Sequence, residues 1–222
     1  MTLRSAAELA NVQNPAWVEI AALIEGQEPA ARALPIDRYS GELSLHALQV
    51  TAASSLGALA LNCGGILIDH GWLRLLGGGC DGLPSIAAAN GLLDATDADI
   101  QPPFLTVAVD ILGGQFAVDG GGLGINRGKV CYWAVDTLAW EDTGLGHGAF
   151  VNTFLNGAAT DFYRNFRWPG WAEEVGALGL DQGLSLWPPP FSAEGQDLAA
   201  VSRTAVSLTE LRAFYEYAAA QL

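Results

Sequence analysis

The tightest constraint on the fold is a change of hydrophobic period in mid-chain. Leu105, Val107, Val109 and Ile111 alternate with Phe104, Thr106, Ala108 and Asp110, the two-residue repeat of a strand with distinct faces. Gly113 and Gly114 then supply a two-residue hairpin turn, and residues 115–119 return. Past the GGGLG loop from Gly120 to Gly124, a strand is expected over 129–135 and another over 138–141. Upstream, residues 66–68 and 72–76 are short apolar runs around Asp69, His70 and Gly71, the pattern of a tight hairpin. Successive hairpins build an antiparallel sheet, and such a sheet needs apolar partners to cover it.

Those partners lie at both ends of the chain. Asn14 can cap a helix with Pro15 at its first position, and Trp17, Ile20, Ala21 and Ile24 follow with i, i+3, i+4, i+7 spacing. An extended piece is expected at 34–37, a second helix near 43–50 and a third from Ser54 or Ser55 to Asn62. Residues 77–103, with Asp94, Asp97 and Asp99, read as irregular. Phe150, Val151, Phe154 and Leu155 form a helical stripe, 161–167 a short helix, and Pro169 can start another. Residues 184–187 read as an added strand stopped by Pro188, Pro189 and Pro190. Ser207 and Glu210 make a Ser-x-x-Glu capping box for a last helix with Leu211, Phe214, Tyr215, Ala218 and Leu222 on one side. The fold class is therefore α+β: an antiparallel β-meander flanked by N- and C-terminal helices. No Ser/Pro/Gly linker divides the chain, so one domain over 1–222 is expected, with a core at about 55–156 and a helical C-terminal extension at 157–222.

Composition removes several functions. Half of the 222 residues are hydrophobic, which excludes a disordered chain. Acidic residues outnumber basic ones 24 to 10, a net charge of −14, so no nucleic-acid partner is expected, because phosphate neutralisation needs clustered Lys and Arg. No apolar run reaches the ~18 residues of a membrane helix, and Glu8 and Asn11 stand where a signal peptide needs apolar residues. Cys63, Cys80 and Cys131 are far apart and odd in number, which argues against a disulfide framework or a zinc site and for a reducing, cytoplasmic compartment. No metal and no cofactor is expected.

Motifs for catalysis are weak. GGGCDG, residues 77–82, fits G-x-G-x-x-G, with Asp97 and Asp99 near the spacing of a ribose-binding acid. No helix can start inside it, as a dinucleotide site requires, and a turn is favoured. Gly128–Lys129 is followed by Val130 and so is no phosphate loop, and G-x-S-x-G, H-E-x-x-H and C-x-x-C are missing. Nothing in the spacing gathers His46, His70 and His147. Asp69 is expected to bond its own turn backbone, with Gly71 left-handed. Turn chemistry is the favoured reading for His70 too, although a loop histidine beside a carboxylate makes it the histidine to substitute first. Glu141–Asp142 on a strand point to opposite faces, and Glu173–Glu174 read as a solvated helix face. Trp17 and Trp133 fall on predicted buried stripes, while Trp168, Trp171 and Trp187 cluster around Gly and Pro. Such residues serve as loop packing or as a contact surface. The residues singled out for binding are Asp69, His70, Trp72, Asp119, Trp168 and Trp171.

Two family resemblances can be read from the residues. LGALALNCGGILIDHGWLRLLGGG (56–79), GGQFAVDGGG (113–122), YWAVDTLAWEDTGLGH (132–147), RWPGW (167–171) and DQGLSLWPPPF (181–191) resemble, in order and content, a bacterial family of unknown function, domain of unknown function 2625. That likeness implies no activity. Over about 59–155, Asn62–Cys63–Gly64–Gly65 after a helix, the GGQFAVD hairpin, the strand GKVCYWAVD, Trp140–Glu141 and a helix with Phe150, Phe154 and Leu155 are similar to the core of the Smi1/Knr4, or SUKH, superfamily. Ser55–Leu56–Gly57 stand where that superfamily carries Leu-Pro, and the chain beyond Asp161 is atypical of it. The resemblance implies a SUKH-like core and a protein-binding role, many bacterial members being immunity proteins against toxins that are often nucleases and others interaction scaffolds.

Three functions follow as expectations. The first is a non-enzymatic module for a basic protein partner such as a toxin. The second is a small-molecule-binding domain or enzyme using the Asp69-His70-Gly71-Trp72 turn and the Gly120 to Gly124 loop. The third is a homo-oligomer joined through the tryptophan-rich C-terminal region.

Overall fold

The computed structural model describes residues 3–27, 30–93 and 102–221, so Asp94, Asp97, Asp99 and Leu222 lie outside the described residues. The elements run α1 (Ala6–Ala10), α2 (Trp17–Gly26), β1 (Ala31–Leu34), α3 (Arg38–Leu48), α4 (Ser55–Asn62), β2 (Gly65–Ile68), β3 (Leu73–Leu76), α5 (Ile86–Ala89), β4 (Phe104–Asp110), β5 (Gln115–Asp119), β6 (Val130–Ala134) and β7 (Ala139–Asp142). They continue with α6 (His147–Thr153), a π turn (Phe154–Ala158), α7 (Ala159–Phe162), a 3-10 turn (Arg164–Phe166), α8 (Trp171–Gly176), β8 (Gln182–Trp187), β9 (Ser202–Ser207) and α9 (Leu208–Ala219). Strands β1 to β7 form one antiparallel sheet in chain order. The fold is α+β, as the mid-chain alternation requires.

Burial explains why some strands alternate and others do not. Ile66, Ile68, Leu73, Leu75, Phe116, Val130 and Tyr132 face the main core, under Ile20, Ile24, Leu59, Phe150 and Phe154. Leu34, Leu67 and Leu76 face the other side and pack with Leu83 and Ile86. β2 and β3 are buried at every position, so they read as continuous apolar runs, whereas β7 at the sheet's end is mostly exposed. Ser54 caps α4 through the Gly57 amide, and the Ser207–Glu210 box closes on α9. Among the described residues, no helix is long and apolar enough to cross a membrane.

Several expectations need correction. The N-cap of α2 is Ala16, without a side-chain bond, rather than Asn14. The extended piece is β1 at Ala31–Leu34, paired with β2, and Asp37 instead caps α3, which begins at Arg38. The short helix α5, capped by Ser85, interrupts the region read as irregular. The short helix expected at 161–167 is α7 plus a 3-10 turn, and α8 starts after Gly170. The C-terminal extension is not purely helical: β8 and β9 pair antiparallel from Gln182↔Ser207 to Trp187↔Ser202.

A buried arginine fastens that extension to the meander. Arg74 sits in β3 opposite Leu67, 1% exposed. Its Nη1 donates to the carbonyls of Leu180 and Gln182, both at 2.7 Å, and its Nε to that of Gly71 at 3.2 Å. Burial pulls its pKa down to about 10, against the pull of Asp110 and Asp181, so it stays charged at neutral pH. The Leu184 amide adds a bond to the Ile111 carbonyl at 2.7 Å.

Candidate functional site

Five of the six singled-out residues meet. The β2–β3 turn holds Asp69, His70 and Gly71 at φ 49°, 58° and 91°, three successive left-handed residues of which only glycine adopts the conformation freely. The Asp69 carbonyl accepts from the Trp72 amide at 2.9 Å within the turn, but its side chain, contrary to expectation, turns away from the turn backbone. Its carboxylate accepts from the Arg167 guanidinium, and its amide donates to the Ala30 carbonyl at 2.8 Å. Arg167 lies 4.3 Å from the centroid of Trp171, with Trp72 at 5.7 Å. Trp72 touches Trp168, Trp171 and Tyr163 with ring centroids 5.4–5.6 Å apart. Trp168 Nε1 donates to Glu174 at 2.7 Å, and Arg203 both pairs with Glu174 and stacks on Trp168 at 4.7 Å.

This cluster is closed. Trp72 is fully buried and Trp168 is 3% exposed, so neither is a surface contact. They fill the space behind the turn, where a ligand pocket would have to lie. Both arginines are paired, and His70, at the surface, meets Trp171 edge-on at 5.7 Å. Trp187, 68% exposed, stands apart on β8. The arrangement joins the turn, α8 and β9 mechanically. Of its polar partners, Arg167 and Arg203 carry no sequence signal, while Glu174, expected on a solvated helix face, instead accepts from Trp168 and Arg203.

Asp119 sits elsewhere and organises the GGGLG loop from within. Its Oδ1 accepts the amides of Gly121 and Leu123, and its Oδ2 those of Ile125 and Asn126, at 2.6–3.2 Å. Burial opposes its charge, but the four amides outweigh it and hold the carboxyl below its usual range. Those amides are therefore spent on Asp119 instead of facing an anion.

Two further polar groups are interior. Asp110 is buried at the Gly113–Gly114 turn and accepts from the amides of Leu112 and Gly114 and from the hydroxyls of Tyr132 and Tyr163, at 2.9–3.2 Å. Burial pushes its carboxyl up, with the four donors working the other way. Gly114 leaves no room for a side chain, since a Cβ there would lie 2.2 Å from Asp110 Oδ2 and 2.5 Å from the Tyr132 hydroxyl. His147, at the start of α6, is buried with its Nδ1 2.7 Å from Ser55 Oγ at the start of α4. Burial pulls its pKa down to about 4, so it is a neutral link between helix ends and a feeble base.

The GGGCDG segment is a turn: the amides of Gly78 and Gly79 donate to Cys63 and Gly64, and Cys80 and Leu83 exchange bonds. A 480 Å³ hollow beside it is lined partly by Asp37 and Ser40, but the Asp37 carboxylate is occupied in capping α3. Among the described residues no group of three His, Cys, Asp or Glu is placed to hold a metal ion.

The open chemistry lies at the sheet's end. β7 has one strand neighbour, β6, with Tyr132 opposite Glu141 and Trp133 opposite Trp140. Between this edge and the helical layer runs a cleft of 440 Å³. Tyr132, Leu145, Phe154 and Phe162 form its apolar walls, with Glu141 and Asp161 as its acidic members; Asp142 also lines it, but its register opposite Cys131 puts its side chain on the other face of the sheet. Asp142 accepts from Asn126 at 2.7 Å and from the Gly144 amide at 2.8 Å, and these bonds hold its carboxyl below the usual range. Asp161 pairs with Arg164, both side chains largely exposed, so the pair is worth little. Glu141 accepts only from Thr137 Oγ1, at 3.1 Å, among the side chains described.

An α+β protein with a helix-flanked antiparallel meander, a closed aromatic staple and an acidic edge cleft is the class defined so far. The chain belongs to the family described as "Protein of unknown function DUF2625", whose model matches residues 6–211. It is 35% identical over 214 residues to the uncharacterized protein YbfG of Escherichia coli (strain K12), covering 94% of each chain. It is 32% identical over 187 residues to an uncharacterized protein of Haemophilus influenzae (strain ATCC 51907 / DSM 11121 / KW20 / Rd), covering 82% of this chain and 80% of that one. No solved structure matches.

Proposed function

We propose that the chain is a non-enzymatic, cytoplasmic protein-binding module that receives a basic partner at the β7 edge. The observation that carries the reading is the apolar cleft with an acidic rim at a sheet edge that has only one strand neighbour. Groups of the kind that serve catalysis are committed inside the fold: Asp69 to Arg167, Asp119 to its loop, His147 to Ser55. A net charge of −14 draws a basic surface in and makes the attraction salt-dependent. The immunity-type form of the reading, with a toxin as partner, draws support from the likeness of residues 59–155 to the SUKH superfamily. A nuclease toxin has a basic substrate groove for such a surface to occupy. Free Cys63, Cys80 and Cys131 agree with a reducing compartment.

The test compares two immobilised baits, the wild-type chain and a Glu141→Lys/Asp161→Lys variant, in lysate of the source cells at low and high salt. The expected result is a basic protein held by the wild type at low salt, released at high salt, and not held by the variant. If no protein distinguishes the baits, the reading fails.

A further inference from the structure

We infer that the partner reaches the β7 edge as an extended segment, adding an eighth strand to the sheet and placing one lysine or arginine side chain in the cleft. This rests on the protein-binding reading above and adds its mode. β7 is the terminal strand of the sheet, so among the described residues its outer row of backbone N–H and C=O groups has no strand partner. A peptide added there gains main-chain hydrogen bonds, with specificity from pockets for alternate side chains.

The occupant's charge follows from how the edge is defended. β7 is four residues long, with Glu141 and Asp142 exposed, and short, charged edges resist pairing with their own kind. A second copy would bring Glu141 against the same acids with −14 on each molecule, and like charges facing across strands are destabilising. The same edge attracts a strand of opposite sign. Lys129 acts on Asp142, and Arg164 pairs with Asp161, which leaves Glu141 as the acid best placed to receive a new cation.

The cleft's layering selects the side chain. Tyr132 stands opposite Glu141, so Glu141 lies over the face of the sheet where Phe154 and Phe162 form the walls. A long basic side chain matches apolar walls below an acidic rim, because its methylenes bury while its head stays at the charged opening. Phe162, 38% exposed, is the most accessible of these aromatic walls and adds apolar surface for the methylenes.

The experiment uses a library of octapeptides with alternating apolar residues, randomised flanks and a central Lys, Arg, norleucine or Glu. Binding to the full chain is followed by amide NMR. Lys and Arg peptides are expected to shift the amides of Ala139–Asp142 and slow their exchange. Norleucine or Glu at the centre, N-methylation of alternate peptide amides, and Glu141→Lys in a chain with an unchanged circular dichroism spectrum should each weaken binding roughly tenfold. Binding that survives N-methylation overturns strand addition but leaves the acidic-cleft reading standing. A dimer of the chain alone through the same amides assigns the edge to a second copy and overturns the inference. Failure of every basic peptide also overturns it, while the bait comparison decides separately whether the protein-binding reading survives.

Discussion

His147 should make the stability of this protein depend on pH in a way that one substitution removes. Its folded pKa, about 4, lies below the ordinary 6.5 because burial disfavours the imidazolium. Between those values the unfolded chain binds the proton and the folded chain does not, so stability falls as pH falls. The contribution is fully present above 6.5 and lost as the pH drops through about 4. The interval from 6.5 to about 4 corresponds to roughly 3 kcal/mol in full, most of it gone at pH near 4.5. Urea unfolding followed by tryptophan fluorescence, at pH near 7.5 and near 4.5, gives the loss for the wild type and for His147→Asn. The carboxylates titrate alike in both, so the difference between the two losses isolates His147. A difference of about 2–3 kcal/mol is expected. Parallel profiles, or an NMR titration placing the folded His147 midpoint near 6.5, would refute the burial argument.

Three more outcomes follow. Arg74→Met leaves the carbonyls of Leu180 and Gln182 without their donor, which should cost about 2–4 kcal/mol and make the chain beyond residue 176 more sensitive to limited proteolysis. Gly114→Ala drives a methyl into Asp110 and Tyr132, so a thermal melt should show a loss of about 3 kcal/mol, or roughly 6–12 °C in a domain of this size. Asp119→Ala removes the acceptor of four loop amides. It should cost about 2 kcal/mol and speed amide exchange at Gly121, Leu123, Ile125 and Asn126 while α9 stays protected.

What was legible in the sequence is what depends on neighbours in the chain. The alternation at 104–111, the glycine turn, the Ser54 cap and the Ser207–Glu210 box all reappear. The Ser5–Glu8 box that starts α1 is equally local, but that segment was read only for the absence of a signal peptide. α3 begins earlier than expected because its first turn is polar and carries no apolar stripe. β9, SRTAVS, is largely exposed and lacks strand alternation. At the site, an unusual turn and clustered tryptophans pointed to residues that do converge. Their grouping as a closed staple depends on Arg167, 98 residues from Asp69, and no local pattern reports such a pairing. The β7 cleft leaves no local signature for the same reason: Glu141 and Asp161 come from different elements, and the walls between them exist only once helix and sheet have packed.

The Arg74 tether sets an order on biosynthesis. Arg74 leaves the ribosome well before its carbonyl partners, which lie 106 and 108 residues further along. At about 5–20 residues per second that delay is roughly 5–20 s. Through that interval the nascent meander holds a charged guanidinium on a face otherwise lined by Leu67, Leu76 and Ile86, with the Gly71 carbonyl in place but the two acceptors of its Nη1 not yet made. The last third of the polypeptide thus acts as a clasp that shuts late, and chains terminated before residue 180 leave the ribosome with that face open.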